Sequence, residues 1–245
     1  MRPADCHCHL DYEKFDNDRE EVIERCSNQL EFVLNAGLNP ESNEETWQMS
    51  RNHEIVKPAL GLHPTYTEDF DRVEEVVEQV KHFEPPVIGE IGLDHHHVTD
   101  EETRKKQETV FRRMLELATD IDRPVVVHTR SAEKKSVEIL EEYDVDVMLH
   151  SFNGRLELAE RAIENGMYVG VSTQVLYSSR VQELASKLPL DRLLLETDSP
   201  FLYQGERNEP VNVRESAKKI AELRQVSEEE VVEATTGNAR DLFSF

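Results

Sequence analysis

A chain of 245 residues, 38% hydrophobic and 32% charged, suits one large domain over residues 1–245, the size at which α/β barrels close. Its apolar runs fall far short of the roughly 20 residues that cross a bilayer, and its start, MRPADCHCHL, shows neither the apolar stretch nor the cleavage site of a secretory signal. With 28 Lys and Arg against 51 Asp and Glu, a formal charge of −23, the protein is not built to coat nucleic acid, because that affinity comes from clustered cations.

Short apolar or β-branched runs recur at residues 3–8, 31–36, 57–62, 86–92, 123–128, 145–150, 167–172 and 192–196; the second and seventh give the weakest strand signal. Between most of them lie stretches of helical period. Val73, Val76, Val77 and Val80 repeat at i, i+3, i+4 and i+7. Val110, Phe111, Met114, Leu115 and Ala118 form a second such face, and Ala159, Ala162 and Ile163 a third. Eight strands each followed by a helix predict a (β/α)8 TIM barrel, with an open doubly wound sheet as the alternative. Residues 204–212 (QGERNEPVN) read as a long loop after the last strand, and residues 227–243 as one or two closing helices. The acidic runs at Glu74-Glu75, Glu141-Glu142 and Glu228-Glu229-Glu230 fall on predicted helices as solvated faces.

A barrel carries its active site at the C-terminal ends of its strands. Metal-binding side chains recur there: Asp5-Cys6-His7-Cys8-His9, Gly61-Leu62-His63-Pro64, Gly89-Glu90-Ile91-Gly92-Leu93-Asp94, Val127-His128-Thr129-Arg130, Leu149-His150-Ser151 and Glu196-Thr197-Asp198. Residues two apart on a strand share a face, so His7 and His9 can grip one ion while Cys6 and Cys8 turn away as small apolar residues. Three cysteines make no disulfide framework and fit a reducing compartment, here the cytoplasm. Imidazoles mixed with carboxylates suit Zn²⁺, Mn²⁺ or Fe²⁺ better than Ca²⁺. Four histidines and two carboxylates exceed what one tetrahedral ion needs, so two divalent ions (zinc, manganese or magnesium) sharing a carboxylate are the expected cofactors.

The motifs DCHCHLD (5–11), GLHP (61–64), IGEIGLD (88–94), PVVVHTR (124–130), HSFNG (150–154), ETDSPFL (196–202) and RNEP (207–210) run through almost the whole chain in order. In them the sequence resembles the TatD-type metal-dependent deoxyribonucleases, among the amidohydrolase-like barrels. The resemblance implies that His7, His9 and Asp198 hold a first ion, that Glu90 bridges to a second, and that His128 and His150 hold the second. It implies further that Asp198 deprotonates the attacking water and that His63 grips a substrate phosphate. Arg130, Arg155 and Arg207 follow strand ends as candidate phosphate-steering residues, with surface ion pairing as the plain alternative. Six positions depart from the family pattern: Thr65 where a second histidine is frequent, Ser151 and Asn153 for cysteine and serine, and His95-His96-His97, a solvated or weakly metal-sensitive loop, where aromatics are usual. None removes a ligand; they bear on substrate preference.

The expected function is therefore metal-dependent hydrolysis of phosphodiester bonds by a two-metal-activated water, in a deoxyribonuclease of the 3′–5′ exonuclease type. DNA ends or single strands are the expected substrate, with no membrane and no obligate protein partner. Two divalent ions and a few arginines at the barrel mouth focus positive potential locally, which suits capture of a strand end. Alternatives are a small-molecule amidohydrolase or lactonase on the same barrel, and a non-catalytic metal-bound adaptor. Many such amidohydrolases bridge their metals with a carboxylated lysine, whereas this chain has Glu90 and no nearby lysine on that strand. The acidic excess itself suits a salty cytoplasm, where salt screens the repulsion; an ordinary acidic cytosolic protein is the alternative.

Overall fold

The computed structural model describes residues 1–245. Eight strands, β1 (Asp5–Cys8), β2 (Val33–Ala36), β3 (Val56–Leu60), β4 (Val87–Gly92), β5 (Val125–His128), β6 (Val147–Leu149), β7 (Tyr168–Val171) and β8 (Leu193–Leu195), form one sheet in sequence order. Consecutive strands pair in parallel throughout. The barrel closes just beyond β8: the Asp198 N–H donates to the His7 carbonyl at 2.9 Å, and the His9 N–H to the Ser199 carbonyl at 2.8 Å. The seam is thus sewn by the backbone of site residues. All eight predicted runs overlap a strand, including the second and seventh.

The helices are α1 (Arg19–Gln29), α2 (Pro40–Asn52), α3 (Val73–Phe83), α4 (Glu101–Asp120), α5 (Glu133–Leu140), α6 (Leu156–Glu164), α7 (Ser179–Lys187), α8 (Val213–Arg224) and α9 (Glu228–Phe243). Their starts follow local chemistry. Asp100 caps α4 by accepting from the Thr103 N–H at 2.8 Å, and Ser227 caps α9 by accepting from the Glu230 N–H at 3.1 Å. The apolar stripe of α3 buries Val76, Val77 and Val80 completely. Residues 227–243 make one helix, and none of the helices is long and apolar enough to cross a membrane.

Two apolar layers hold the barrel. The larger lies between the strands and the helices. The smaller fills the barrel interior with Ala4, Cys6, Leu34, Ala36, Ala59, Val87, Val126, Met148 and Leu194, and α9 closes it from below with Ala239, Leu242 and Phe243. Each fully buried leucine here contributes about 2 kcal/mol. The apolar plug occupies the N-terminal end of the barrel and leaves the other end to polar groups.

One expectation is corrected. Cys6 and Cys8 do not share a face: Cys6 belongs to the interior layer and Cys8 to the outer one with Cys26. The β1–β2 register shifts between Asp5 and Cys8, and this irregularity breaks the strand's alternation. Both cysteines are nevertheless small buried apolar residues, as expected.

Candidate metal centre

Parallel strands all end on one side of a barrel, so the strand-end residues converge there. His7 comes from β1, Glu90 from β4 and His128 from the end of β5. His9, His63, His150 and Asp198 follow β1, β3, β6 and β8. Gly61 makes room for this convergence: a Cβ there would lie 2.7 Å from the Glu90 carbonyl oxygen.

Three donor groups result: His7, His9 and Asp198; His7, Glu90 and His150; and His63, Glu90 and His128. Glu90 joins them. Its Oε2 lies 3.1 Å from His7 Nε2 and 3.7 Å from His9 Nε2. Its Oε1 lies 2.8 Å from His128 Nδ1, 3.4 Å from His63 Nε2 and 3.9 Å from His150 Nε2. Asp198 Oδ1 stands 3.4 Å from His9 Nε2, 3.7 Å from His7 Nε2 and 3.8 Å from His150 Nε2.

The far side of most rings is tied down. His9 Nδ1 donates to the Ala36 carbonyl at 3.0 Å, His150 Nδ1 meets Glu196 at 2.8 Å, and His128 Nε2 meets Asp94 at 2.9 Å. These partners fix which ring nitrogen faces the centre. His7 and His9 turn their Nε2 atoms to within 3.1 Å of each other, and Nδ1 of His7 is buried without a partner. Lone pairs converging so closely repel unless a cation or a proton sits among them. The donor set, imidazoles with carboxylates, fits a borderline divalent metal.

The electrostatics agree. Burial, reinforced by His150, drives His7 down to about 3. Burial opposes protonation of His9 and His150 too, but Asp198 and Glu90 raise His9 to about 9. Glu196, Glu90 and Asp198 raise His150 to about 10. Glu90 is fully buried, yet His63, His7 and His150 hold its carboxyl well below the usual range. Desolvation works against ionisation of Asp198 too, and His150 and His9 lower its carboxyl below the usual value. The cavity therefore demands positive charge, which protons or metal ions can meet.

Some residues with structural roles at the site went unassigned in the sequence. Asp94 accepts from the backbone N–H groups of His96 and His97 at 2.9 and 2.7 Å, while its other oxygen meets His128 and His97. Of the His95–His97 loop, only the His97 ring is turned onto Asp94. Asp5 accepts from the Thr197 N–H at 2.8 Å and its hydroxyl at 2.6 Å, and so locks β1 to the turn that carries Asp198. Asn208 of RNEP donates to the Thr197 carbonyl from the other side, at 2.9 Å. The sequence signal for Asp94 and Glu196 is that they share the strand-end motifs IGEIGLD and ETDSPFL with Glu90 and Asp198.

A cleft of about 830 Å³ opens over the centre. Tyr12, Tyr66, Tyr177, Phe201 and Tyr203 line it, with Lys14 and Arg130 among them. Arg155 stands in a neighbouring groove. Arg207 is elsewhere. It makes a two-pronged ion pair with Asp18 at 2.6 Å, a second pair with Glu209, and a cation–π contact with Phe15. These bonds pin the 207–210 loop to the segment before α1, so the ion-pair alternative describes Arg207. Thr65 holds Nδ1 of His63 at 2.8 Å from its hydroxyl. Ser151 donates its N–H to Glu196.

Comparison with known proteins places this geometry. The family model described as TatD related DNase matches residues 4–244. An uncharacterized metal-dependent hydrolase, YabD of Bacillus subtilis, is 34% identical over 253 residues, 98% of each chain. Human deoxyribonuclease TATDN3 is 34% identical over 258 residues, covering 98% of this chain and 94% of that one. The crystal structure of YjjV, a TatD homologue from Escherichia coli, superposes with a TM-score of 0.89 at 28% identity, over 100% of this chain and 98% of that one.

Proposed function

The chain belongs to the TatD-related DNase family and is a metal-dependent hydrolase, and on that premise we propose that it is a two-metal deoxyribonuclease of the 3′–5′ exonuclease type. The observation that carries the reading is the division of Glu90, one oxygen toward His7 and His9, the other toward His128, His63 and His150. A carboxylate so placed is suited to bridge two ions. His7, His9 and Asp198 would hold one; His128 and His150 would hold the other. Zinc, manganese or magnesium suits these donors. When bound, the ions supply Lewis acidity at the phosphate and ease deprotonation of the attacking water.

The chain's own residues supply the rest. Asp198 is ionised at neutral pH and accepts the water proton on its carboxylate. His63 is kept neutral by burial, and its Nδ1 accepts from the Thr65 N–H at 3.2 Å. Its proton then sits on Nε2, which suits it to donate to a phosphate oxygen rather than to bind metal. Arg130 adds a positive charge beside that phosphate. Tyr12 and Phe201, packed edge to face at 5.1 Å on the cleft wall, offer a surface for the terminal base. A net charge of −23 repels long duplex, whereas a strand end needs only the local field of the cleft. The same acidic surface suits work in high salt, where its self-repulsion is screened.

The test is degradation of end-labelled single-stranded DNA in molar KCl with Mg²⁺ or Mn²⁺. Stepwise shortening from the 3′ end that stops with EDTA supports the proposal. Intact strands from metal-loaded protein would exclude it.

A further inference from the structure

The metal cleft continues sideways. A narrower cavity of about 240 Å³ shares His128, Arg130, His150 and Asp198 with it, and runs on past Ser131, Ser151 and Asn153. That cavity shares Glu133 and Asn153 with an open groove of about 690 Å³. The groove is lined by Lys134, Arg155, Arg161 and Arg180 against Glu133 and Glu157. A surplus of bases is unexpected in a chain with 51 acids and 28 Lys and Arg.

The fold explains where this surplus sits. The groove lies at the starts of α5, α6 and α7, which a barrel places on the same side as its strand ends. Arg155 is the N-cap residue of α6 and Arg180 lies in the first turn of α7. No side chain caps α5 or α6, so their first N–H groups also face outward toward anions. Within the groove Arg161 is turned to Glu141, and on other helices Arg72, Arg112 and Arg113 likewise hold glutamates. Arg130, Arg155 and Arg180 make no ion pair within 4.0 Å. They mark a line from the metal centre into the groove.

We infer that this groove is the track for the uncleaved part of a single strand, with Arg155 and Arg180 gripping backbone phosphates beyond the scissile bond. The inference rests on the nuclease reading and deepens it. Arg155 and Arg180 are positioning residues: they touch no reacting atom and act by holding the strand. A substrate of one nucleotide cannot reach them, whereas a longer strand can.

The experiment compares wild type with the Arg155→Ala/Arg180→Ala protein on two substrates, a chromogenic phosphodiester of one nucleotide and a DNA strand of about a dozen. The reading is the ratio of kcat/KM on the strand to kcat/KM on the ester, which does not depend on the fraction of folded enzyme. It should fall at least about tenfold, through KM, and the salt dependence of log KM on the strand should flatten by about 0.7 per arginine. Arg155→Lys/Arg180→Lys should recover most of the loss. An unchanged ratio and slope in the alanine protein, with wild type degrading the strand, would overturn the track alone. Wild type that hydrolyses the ester and leaves every strand intact would overturn the nuclease reading and the track with it.

Discussion

Glu196 meets Nδ1 of His150 at 2.8 Å and leaves Nε2 of that ring facing Glu90 and Asp198. A buried carboxylate in this position fixes the tautomer and strengthens the imidazole as a ligand. Burial pushes the Glu196 carboxyl up, and His150 works against that push. Glu196→Gln keeps the shape but removes the charge. It should lower metal affinity about 10- to 100-fold, read by titrating metal-stripped protein. Unaltered affinity would reduce Glu196 to a packing residue.

Asp198→Asn tests the proton acceptor. At saturating metal, kcat should fall about 100-fold or more while KM for the strand changes little. Single-turnover rates at several metal concentrations separate this effect from weakened metal binding. A wild-type kcat would assign the base elsewhere.

The pH dependence follows from His9 and His150. In the metal-free protein both lie above the ordinary histidine value of 6.5, at about 9 and about 10. Both rings are therefore protonated at pH 7, and metal binding must expel those protons. Calorimetry in buffers of different ionisation enthalpy should show about two protons released per chain. The sign for stability is also set. Raised folded-state values stabilise the metal-free protein fully below pH 6.5, and that contribution is lost as pH rises through 9 to 10. Metal-free protein should thus lose melting temperature over this window, and metal-loaded protein should not. Metal binding without proton release would contradict the charges assigned to these rings.

Gly92 carries a backbone constraint beside the centre. Its φ is 138°, and a Cβ there would overlap the His128 carbonyl oxygen. Gly92→Ala should cost on the order of 2 kcal/mol or more, and should weaken metal binding because the strand bearing His128 must move. Denaturant midpoints with and without metal measure both effects. A fully stable, fully metal-binding variant would show that the β4–β5 contact is not constraining.

How much of this was legible in the sequence depends on how local the cause is. Strands such as β5 show as β-branched runs, and six of the eight strand ends, all but those of β2 and β7, carry metal-type residues that a parallel barrel collects on one side. The candidates could therefore be named before any geometry, and the resemblance to the TatD-type enzymes singled out the six proposed ligands among them. The roles of Asp94 and Glu196 could not, because they depend on which nitrogen of His128 and His150 faces inward. The inward face of Cys6 was hidden because a register shift of β1 against β2 carries no side-chain signature. Arg207 was misplaced because its partner Asp18 lies 189 residues away. The groove at Arg180 was missed because it joins the starts of three helices far apart in the chain.

The claim that Glu90 bridges two ions that together cleave DNA is tested most directly by one titration. Metal-stripped protein is reloaded with Mn²⁺ while bound metal per chain and cleavage of an end-labelled strand are followed together, with Glu90→Gln alongside. The account predicts that cleavage appears as the second ion binds, reaching two per chain, and that Glu90→Gln binds fewer ions, stays folded and leaves the strand intact. Full cleavage at one ion per chain, or in Glu90→Gln, would contradict it.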